Sequence, residues 1–240
     1  MDPFMRLILT NDDGIDAPGL SSLAIASQGL GRLQIIAPDG PQSGCGHAVT
    51  THRPLTVQRF DADRMAVSGT PADCVRLAIH HLATGADWVF SGINAGGNLG
   101  ADVFHSGTAA AAREAALHGV PAIAISHYLA RNRVVDWSLA AERAARVLRV
   151  LMDLPKTPGT FWNVNLPHPE PGGPEPAIVF CPLDLSPLPL NYRVDGDSAV
   201  YSGDYQSRAR TPGADVAVCF GGAIAVTCVA LGNQISAPGA

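Results

Sequence analysis

Short apolar runs alternate with segments of helical periodicity through the first two thirds of the chain. The apolar runs lie at 7–9, 33–37, 88–90, 122–125 and 161–166, and helices are predicted at 18–29, 72–83, 108–118 and 137–152. Strands that read as continuous apolar runs, separated by helices, are typical of a parallel sheet covered by helices on its faces. The pattern therefore predicts an α/β fold.

The last third of the chain has a different character. Prolines and glycines at 167–176 interrupt regular structure, so this stretch is predicted to be a linker. Beyond it, the segments 177–181, 190–206 and 216–231 carry β-branched and aromatic residues without helical periodicity, and they predict strands or a long hairpin. We expect an α/β core over 5–166 and a β-rich C-terminal extension over 177–240 that packs on the core.

The composition is that of a folded protein with a mild negative charge. Apolar residues make up 47% of the 240 residues, and 16 Lys and Arg against 21 Asp and Glu give a net charge of −5. This charge offers no general attraction to a polyanion, so binding of a nucleic-acid polymer is not expected. The longest apolar tract, 216–231, contains Gly221 and Gly222 and is shorter than the roughly 20 residues of a membrane span, so no membrane association is expected either.

The five cysteines indicate a reducing compartment. They lie at 45, 74, 181, 219 and 228, an odd set without a CxxC pair. Such a set favours neither a disulfide framework nor a structural zinc site. No basic and apolar leader segment is visible at the start of the sequence, and we expect a cytoplasmic location.

Two adjacent carboxylates, Asp12 and Asp13, follow the first predicted strand. The carboxyl ends of parallel strands form the edge at which open α/β sheets bind ligands. Adjacent like charges repel, and a hard cation such as Mg²⁺ or Mn²⁺ would turn this repulsion into coordination. The alternative is a simple turn before a helix, for which Asp16, shortly before Pro18, is the expected cap.

Two glycine-rich loops follow other strands of the predicted sheet. The loop 37–46 carries one hydroxyl, Ser43, and the loop 91–100 carries Asn94 and Asn98. Long ordered loops at strand ends are often functional, although each of these could also be a flexible connection. Neither has the spacing of a dinucleotide-binding fingerprint or a Walker A loop, so the sequence does not support a P-loop nucleotide triphosphatase.

Ser106, Gly107 and Thr108 open an alanine-rich helix. The free N–H groups and the positive dipole end of a helix N-terminus form an anion site, and simple N-capping by Ser106 or Thr108 is the alternative. The segments that follow the predicted strands thus bring two carboxylates, a hydroxyl loop, an amide loop and an anion-binding helix start to one sheet edge. This combination predicts metal-assisted attack on a phosphate ester.

Other chemistries lack their signatures. The sequence has no G-x-S-x-G elbow and no D-x-D-x-[TV] motif, so a covalent intermediate has no evident carrier and water is the expected nucleophile. The histidines show no zinc spacing. His47, His105 and His127 follow loops near the predicted site, where we interpret them as supporting or surface residues and not as ligands.

Five ordered motifs resemble the survival protein E (SurE) family of metal-dependent nucleotidases. They are TNDDGIDAPG at 10–19, APDGPQSGCGHAVT at 37–50, SGTPADCVRLA at 68–78, SGINAGGNLG at 91–100 and HSGTAAAAREAALHG at 105–119. The resemblance implies a Rossmann-like, doubly wound, mostly parallel sheet with a C-terminal β-hairpin extension. It also implies hydrolysis of nucleoside 5′- and 3′-monophosphates, and in some members of short polyphosphate.

Site residues are carried over from the family motifs position by position. One divalent ion per subunit, Mg²⁺ or Mn²⁺, would be held by a set of four side chains: Asp12, Asp13, Ser43 and Asn94. The phosphate would be bound by Asn98, Ser106, Gly107 and Thr108. We expect a metal-activated water as nucleophile, oriented by Asp12, while Asn98 and Ser106 help to stabilise the charge of the transition state.

The resemblance also concerns assembly, and it leaves several points open. In relatives the C-terminal hairpin is exchanged between subunits, so 190–206, with Tyr192, Tyr201 and Tyr205, is expected to join a homodimer or homotetramer. Cys45 replaces a small residue of the family motif. A broad-specificity acid phosphatase or exopolyphosphatase, and a non-catalytic nucleotide-binding module, remain alternatives, as do the choice of nucleotide and of metal.

Overall fold

A computed structural model describes residues 5–168 and 172–232. The strands in these residues are β1 (Arg6–Thr10), β2 (Arg32–Pro38), β3 (Val57–Arg59), β4 (Arg64–Val67), β5 (Trp88–Ala95), β6 (Ala122–His127), β7 (Thr160–Leu166), β8 (Ile178–Phe180), β9 (Tyr192–Asp195), β10 (Ser198–Tyr201) and β11 (Ile224–Ala230). The α-helices are α1 (Pro18–Ala26), α2 (Pro71–Leu77), α3 (Gly107–Leu117), α4 (Trp137–Met152) and α5 (Asp215–Phe220). A π-helical turn, Ala78–Leu82, extends α2, and short 3₁₀ segments lie at Gly100–Phe104 and Tyr205–Ser207.

One mixed sheet organises the molecule, with the strand order β3-β4-β2-β1-β5-β6-β7-β11-β8. The strands from β4 to β7 run parallel to one another, whereas β3 and β11 are antiparallel to their neighbours β4 and β7. Strand β1 lies between β2 and β5, and its last four residues are buried. The predicted α/β fold with a mostly parallel, doubly wound sheet is confirmed.

Helices cover both faces of the sheet. On one face α1 and α4 pack through side chains such as Leu20, Leu23 and Leu148. On the other face α2 and α3 contribute Val75 and Ala111 to a second buried cluster. Small alanine side chains let α3 lie close to the sheet, so its N-terminus reaches the same edge at which β1 and β5 end.

The C-terminal third differs from the prediction in one respect. The segment 216–231 was expected to form strand or hairpin, but its first residues belong to helix α5, and only Ile224–Ala230 is strand. A six-residue helix spans fewer than two turns, so its apolar residues cannot show a helical period. Strand β11 then pairs with β7, and β8 pairs with β11, so both lie in the main sheet.

The predicted hairpin is formed by β9 and β10, which pair with each other in a separate two-stranded sheet. All eight of their residues are exposed. Parts of the predicted linker and extension, residues 169–171 and 233–240, lie outside the described residues. Within the described part of the chain, no helix combines the length and the apolar character that crossing a membrane would require.

The expected cap of α1 is also corrected. Ala17 occupies the N-cap position, and its methyl group cannot accept a cap hydrogen bond. Asp16, one residue earlier, forms an ion pair with Arg64 at 2.5 Å. Pro18 at the start of the helix needs no N–H partner, so α1 begins without a polar cap.

Gly19 allows α1 to lie against β5, and this contact gives a test of the packing. A Cβ at position 19 would lie 1.9 Å from the carbonyl oxygen of Ile93. We expect Gly19→Ala to destabilise the fold by about 2 kcal/mol or more, which lowers the Tm by about 4–8 °C. Gly40→Ala is the matched control, because nothing lies within 4 Å of its added methyl group. Equal Tm values for the two variants in thermal unfolding would contradict the packing described.

Candidate active site

Three segments meet at Asp12, just beyond the end of β1. Its carboxylate Oδ1 accepts a hydrogen bond from the Thr108 hydroxyl at 2.5 Å, and its backbone carbonyl accepts one from the Gln42 N–H at 2.7 Å. A Cβ at Gly107 would lie 2.9 Å from Asp12 Oδ2. Asp12 therefore contacts both the loop after β2 and the first turn of α3, and glycine at 107 permits this closeness.

Asp13 faces the end of β5. Its Oδ2 accepts the N–H of Ala95 at 3.4 Å, which places it beside the neighbouring residue Asn94. The Asn94 amide donates to the Gly96 carbonyl at 2.8 Å, and this bond orients the side chain within its loop. Ser43 is exposed and lies one residue beyond Gln42, whose N–H binds Asp12. The four candidate metal ligands thus lie on segments that are linked by hydrogen bonds around the two carboxylates.

The two carboxylates are poorly solvated. Burial, together with the charge of Asp13, raises the pKa of Asp12 to about 6, although the hydrogen bond from Thr108 opposes this shift. Burial also raises the pKa of Asp13. A cation between them would compensate the lost solvation, and carboxylate, hydroxyl and amide oxygens are the ligands that Mg²⁺ and Mn²⁺ prefer. The donor set therefore fits a hard divalent ion.

Residues of other ligand types do not add to this set. The described residues contain no group of three or more His, Cys, Asp or Glu side chains placed to hold a metal ion. Cys45 lies near Gly107, but burial and the neighbouring Asp12 charge raise the pKa of its thiol, so the thiol stays protonated at neutral pH. Soft-metal coordination therefore finds no support in the described part of the chain.

The start of α3 provides donors for an anion. Ser106 occupies the N-cap position, and its hydroxyl accepts the N–H of Ala109 at 3.0 Å. The N–H groups in the first turn of an α-helix have no partner within the helix, so those of Gly107 and Thr108 are available to a ligand. Capping by Ser106 and anion binding are therefore compatible.

Asn98 is buried and held from several sides. Its backbone N–H donates to Asn165 Oδ1 at 2.8 Å, and its carbonyl accepts from the amides of Asn163 and Asn165 at 2.9 and 3.0 Å. Its own amide donates to Ser126 Oγ at 2.7 Å. A primary amide has two N–H donors, so one remains for a ligand. Four hydrogen bonds to neighbouring strands thus fix Asn98 in place.

A buried ionic cluster supports the loop that carries Ser43. Glu114 on α3, only 3% exposed, accepts from His47 at 2.6 Å and from His118 at 2.9 Å, and Arg76 lies 3.3 Å away. Burial opposes ionisation of Glu114, but the hydrogen bonds from the two histidines outweigh it and lower the pKa. The sequence analysis missed this role of Glu114, although a lone acidic residue in an alanine-rich helix was a visible signal.

The other two histidines near the site differ from His47. His105 is exposed. His127 is buried at the end of β6 and bonds through Nδ1 to the Tyr128 carbonyl at 2.9 Å, and burial lowers its pKa to about 4, so its ring is neutral at physiological pH. None of the three histidines contacts the paired carboxylates through a described hydrogen bond, in keeping with the supporting role expected from the sequence.

Asp12→Asn tests whether Asp12 holds a cation. The pKa of Asp12 is raised to about 6 in the folded state. The free energy of unfolding therefore falls as the pH rises through 6, because the buried carboxyl then ionises. At pH 7.5 in EDTA we expect the isosteric neutral variant to be more stable, on the order of 1–3 kcal/mol, or about 2–6 °C in Tm. Added Mn²⁺ should raise the Tm of the wild type and not of the variant. An equal Mn²⁺ shift in both proteins, measured by scanning calorimetry, would refute the assignment.

Comparison with known proteins indicates the family of the chain. The sequence model of the family described as "Survival protein SurE" matches residues 7–181. A putative 5′-nucleotidase from a Nostoc species is 55% identical over 93% of this chain and 98% of its own length. The 5′-nucleotidase SurE of Geobacter sulfurreducens is 48% identical over 71% of this chain and 66% of its own length.

A solved structure shows the same fold over nearly the whole chain. The crystal structure of the SurE protein from Aquifex aeolicus superposes with a TM-score of 0.85 at 29% sequence identity, and the match covers 96% of this chain and 95% of that one. The resemblance inferred from the five sequence motifs is thereby confirmed, and this chain belongs to the survival protein SurE family.

Proposed function

We propose that this chain is a divalent-metal-dependent phosphomonoesterase that hydrolyses nucleoside 5′- and 3′-monophosphates to nucleoside and phosphate. The observation that carries the proposal is the contact between the Asp12 carboxylate and the first turn of α3. This contact sets a candidate cation site directly beside a candidate phosphate site. The relatives named 5′-nucleotidase support the same reaction.

The proposed metal ligands are the four oxygen donors Asp12, Asp13, Ser43 and Asn94. An Mg²⁺ or Mn²⁺ ion bound there would supply positive charge to the phosphoryl group and activate a water. The raised pKa values of Asp12 and Asp13 support this set, because two desolvated carboxylates need a counter-charge.

The chain itself binds the phosphoryl group and directs the water. The N–H groups of Gly107 and Thr108 and the spare amide donor of Asn98 bind the phosphoryl oxygens, and Ser106 holds the helix start in place. The fixed bonds of Asn98 mean that this donor needs no rearrangement when charge develops, which is the condition for strong transition-state stabilisation. With Thr108 bonded to Oδ1, the Oδ2 oxygen of Asp12 accepts a hydrogen bond from the attacking water.

A cavity between the end of β6 and helix α4 has room for a nucleoside. Its volume is about 640 Å³, within the usual range for small-molecule sites, and its lining includes His127 and Arg143. Across the β5–β6 ladder His127 pairs with Ala95, which follows the candidate ligand Asn94. This position favours a nucleotide over a generic phosphate ester. An acid phosphatase or exopolyphosphatase is the second candidate, because the phosphate-binding groups do not themselves select a leaving group.

We also propose a homodimer or homotetramer in the cytoplasm. Tyr192 and Tyr201 of the β9–β10 hairpin are 57% and 48% exposed, which suits them to contact a second copy of the chain. Tyr205, the third tyrosine of the segment, instead bonds to Asp102 of its own chain at 2.7 Å. The five cysteines are free thiols, which supports a reducing compartment.

The reaction is tested by phosphate release from 5′- and 3′-mononucleotides, short polyphosphate and an aryl phosphate. We expect EDTA to abolish activity, Mn²⁺ or Mg²⁺ to restore it, and nucleotides to be preferred. Metal-dependent release without nucleotide preference would favour the general phosphatase. No release with either ion would favour a nucleotide-binding module and overturn the proposal.

Asp13→Asn should lower kcat at least 10³-fold in the same assay, because a neutral amide oxygen lacks the negative charge with which the carboxylate binds the cation. Asp16→Asn is the matched control, since its carboxylate lies three residues further along and pairs with Arg64 away from the site. We expect near wild-type activity for the control. Activity of Asp13→Asn within tenfold of the wild type would contradict the assigned role.

The assembly is tested by the mass in solution. Light scattering should give two or four times the 24.9 kDa mass of one chain. Deleting the exposed hairpin should lower the number of chains in the assembly, because the contact surface formed by its tyrosines is lost. A monomeric mass for the full chain would exclude the proposed assembly.

A further inference from the structure

The loop between Asn98 and Ser106 is held by side chains from the C-terminal third of the chain. Asp102 lies at its centre, and its Oδ2 accepts hydrogen bonds from Arg208 Nη1 and from the Tyr205 hydroxyl, both at 2.7 Å. The same oxygen accepts the N–H of Leu99 at 3.1 Å. One carboxylate oxygen thus joins the loop to a segment more than 100 residues further along the chain.

Arg208 donates hydrogen bonds to two residues of the loop. It is only 4% exposed, and its second terminal nitrogen, Nη2, donates to the Leu99 carbonyl at 3.0 Å while Nη1 donates to Asp102. The face of the guanidinium lies 4.8 Å from the centre of the Tyr205 ring. The guanidinium is planar and its N–H directions are fixed, so it holds the Leu99 carbonyl and the Asp102 carboxylate in fixed positions relative to each other. A lysine ammonium lacks this fixed geometry.

The opposite side of the loop is held as well. The Gly100 N–H donates to Asp215 Oδ2 at 2.7 Å. Gly100 has a φ of +54°, and a Cβ there would lie 2.3 Å from the carbonyl oxygen of Asp184. Asp215 and Asp184 therefore contact the backbone of Gly100, next to the Leu99 carbonyl that accepts a hydrogen bond from Arg208.

These contacts lead directly to the phosphate-binding groups. The Asp102 carbonyl accepts the N–H of Ser106 at 3.0 Å, and Ser106 caps the helix whose first turn is the proposed anion site. At the other end of the loop, Leu99 directly follows Asn98. A shift of Asp102 or Leu99 would move donors on both sides of the phosphoryl group.

We propose that Arg208 is a positioning residue that sets the distance between Asn98 and the N-terminus of α3 by bridging Leu99 and Asp102. The proposal rests on the proposed phosphatase function. A buried ion pair adds little net stability, because desolvation offsets the attraction, so the contribution of Arg208 is the geometry of the loop. Burial and the neighbouring Asp102 charge raise the pKa of Tyr205 far above its usual range, so its hydroxyl remains a donor throughout.

Arg208→Lys tests this role, with Arg210→Lys as the matched control. Arg210 is exposed, lies on the same segment and donates to the Gln206 carbonyl instead of the loop. We expect Arg208→Lys to lower kcat about 10- to 100-fold, because small misplacements of catalytic donors are costly, while KM and the Kd for Mn²⁺ change less than threefold. Hydrogen exchange of peptides covering 98–106 should accelerate at least tenfold. The control should match the wild type in all four measurements.

Tyr205→Phe provides a milder variant if the lysine variant folds poorly. It removes the hydroxyl that donates to Asp102 and leaves Arg208 in place. We therefore expect a smaller fall in kcat, about 3- to 10-fold, again without a matching change in KM.

Two outcomes would overturn the proposal: unchanged kcat and unchanged hydrogen exchange in folded Arg208→Lys, or a loss of Mn²⁺ affinity in the folded variant as large as the loss of kcat. Inactivity of the wild type would instead refute the proposed function, and the exchange rates would still show whether Arg208 fixes the loop.

Discussion

Two adjacent carboxylates just beyond β1, Asp12 buried and Asp13 half-buried, are the constraint around which the rest of the site is arranged. Removing Asp12 and Asp13 from water is costly, and the Thr108 hydroxyl offsets only part of the cost. The first turn of α3, with its positive dipole end, packs against Asp12 through Gly107. An anion-attracting and a cation-attracting surface therefore lie side by side. A phosphate and a metal ion bound there would each neutralise the charge that the other brings.

Two buried ionic networks hold this arrangement from opposite ends of α3. Glu114 connects the helix to His47, on the loop after β2. Asp102, before the helix, connects its start to Arg208 in the C-terminal third. The helix that carries the phosphate-binding N–H groups is thus tied to both neighbouring loops by directional contacts. Apolar packing alone would leave it free to shift along the sheet, because alanine side chains give a smooth surface.

The sequence predicted the central sheet well because β1, β2, β5, β6 and β7 are buried and read as apolar runs. The edge strand β3 and its neighbour β4 were not predicted, since both are short and β3 is largely exposed. The loops at the strand ends were recognisable because parallel strands deliver them to one edge. Arg208 could not be assigned, because 106 residues separate it from Asp102 and no local pattern reports such a contact.

The position of β11 within the sheet affects the order in which the sheet can form during synthesis. This strand, at the C-terminal end of the described chain, lies between β7 and β8 within the main sheet, and α5 and Arg208 shortly precede it. Domains fold as synthesis proceeds from the N-terminus, yet here one edge of β7 stays unpaired until β11 has been synthesised. The hydrogen bonds from Arg208 to the loop before α3 likewise form only after Arg208 has been synthesised. A nascent chain that ends before Arg208 therefore contains every candidate ligand and phosphate-binding residue, but it lacks both the bridge to Asp102 and strand β11, which pairs with β7.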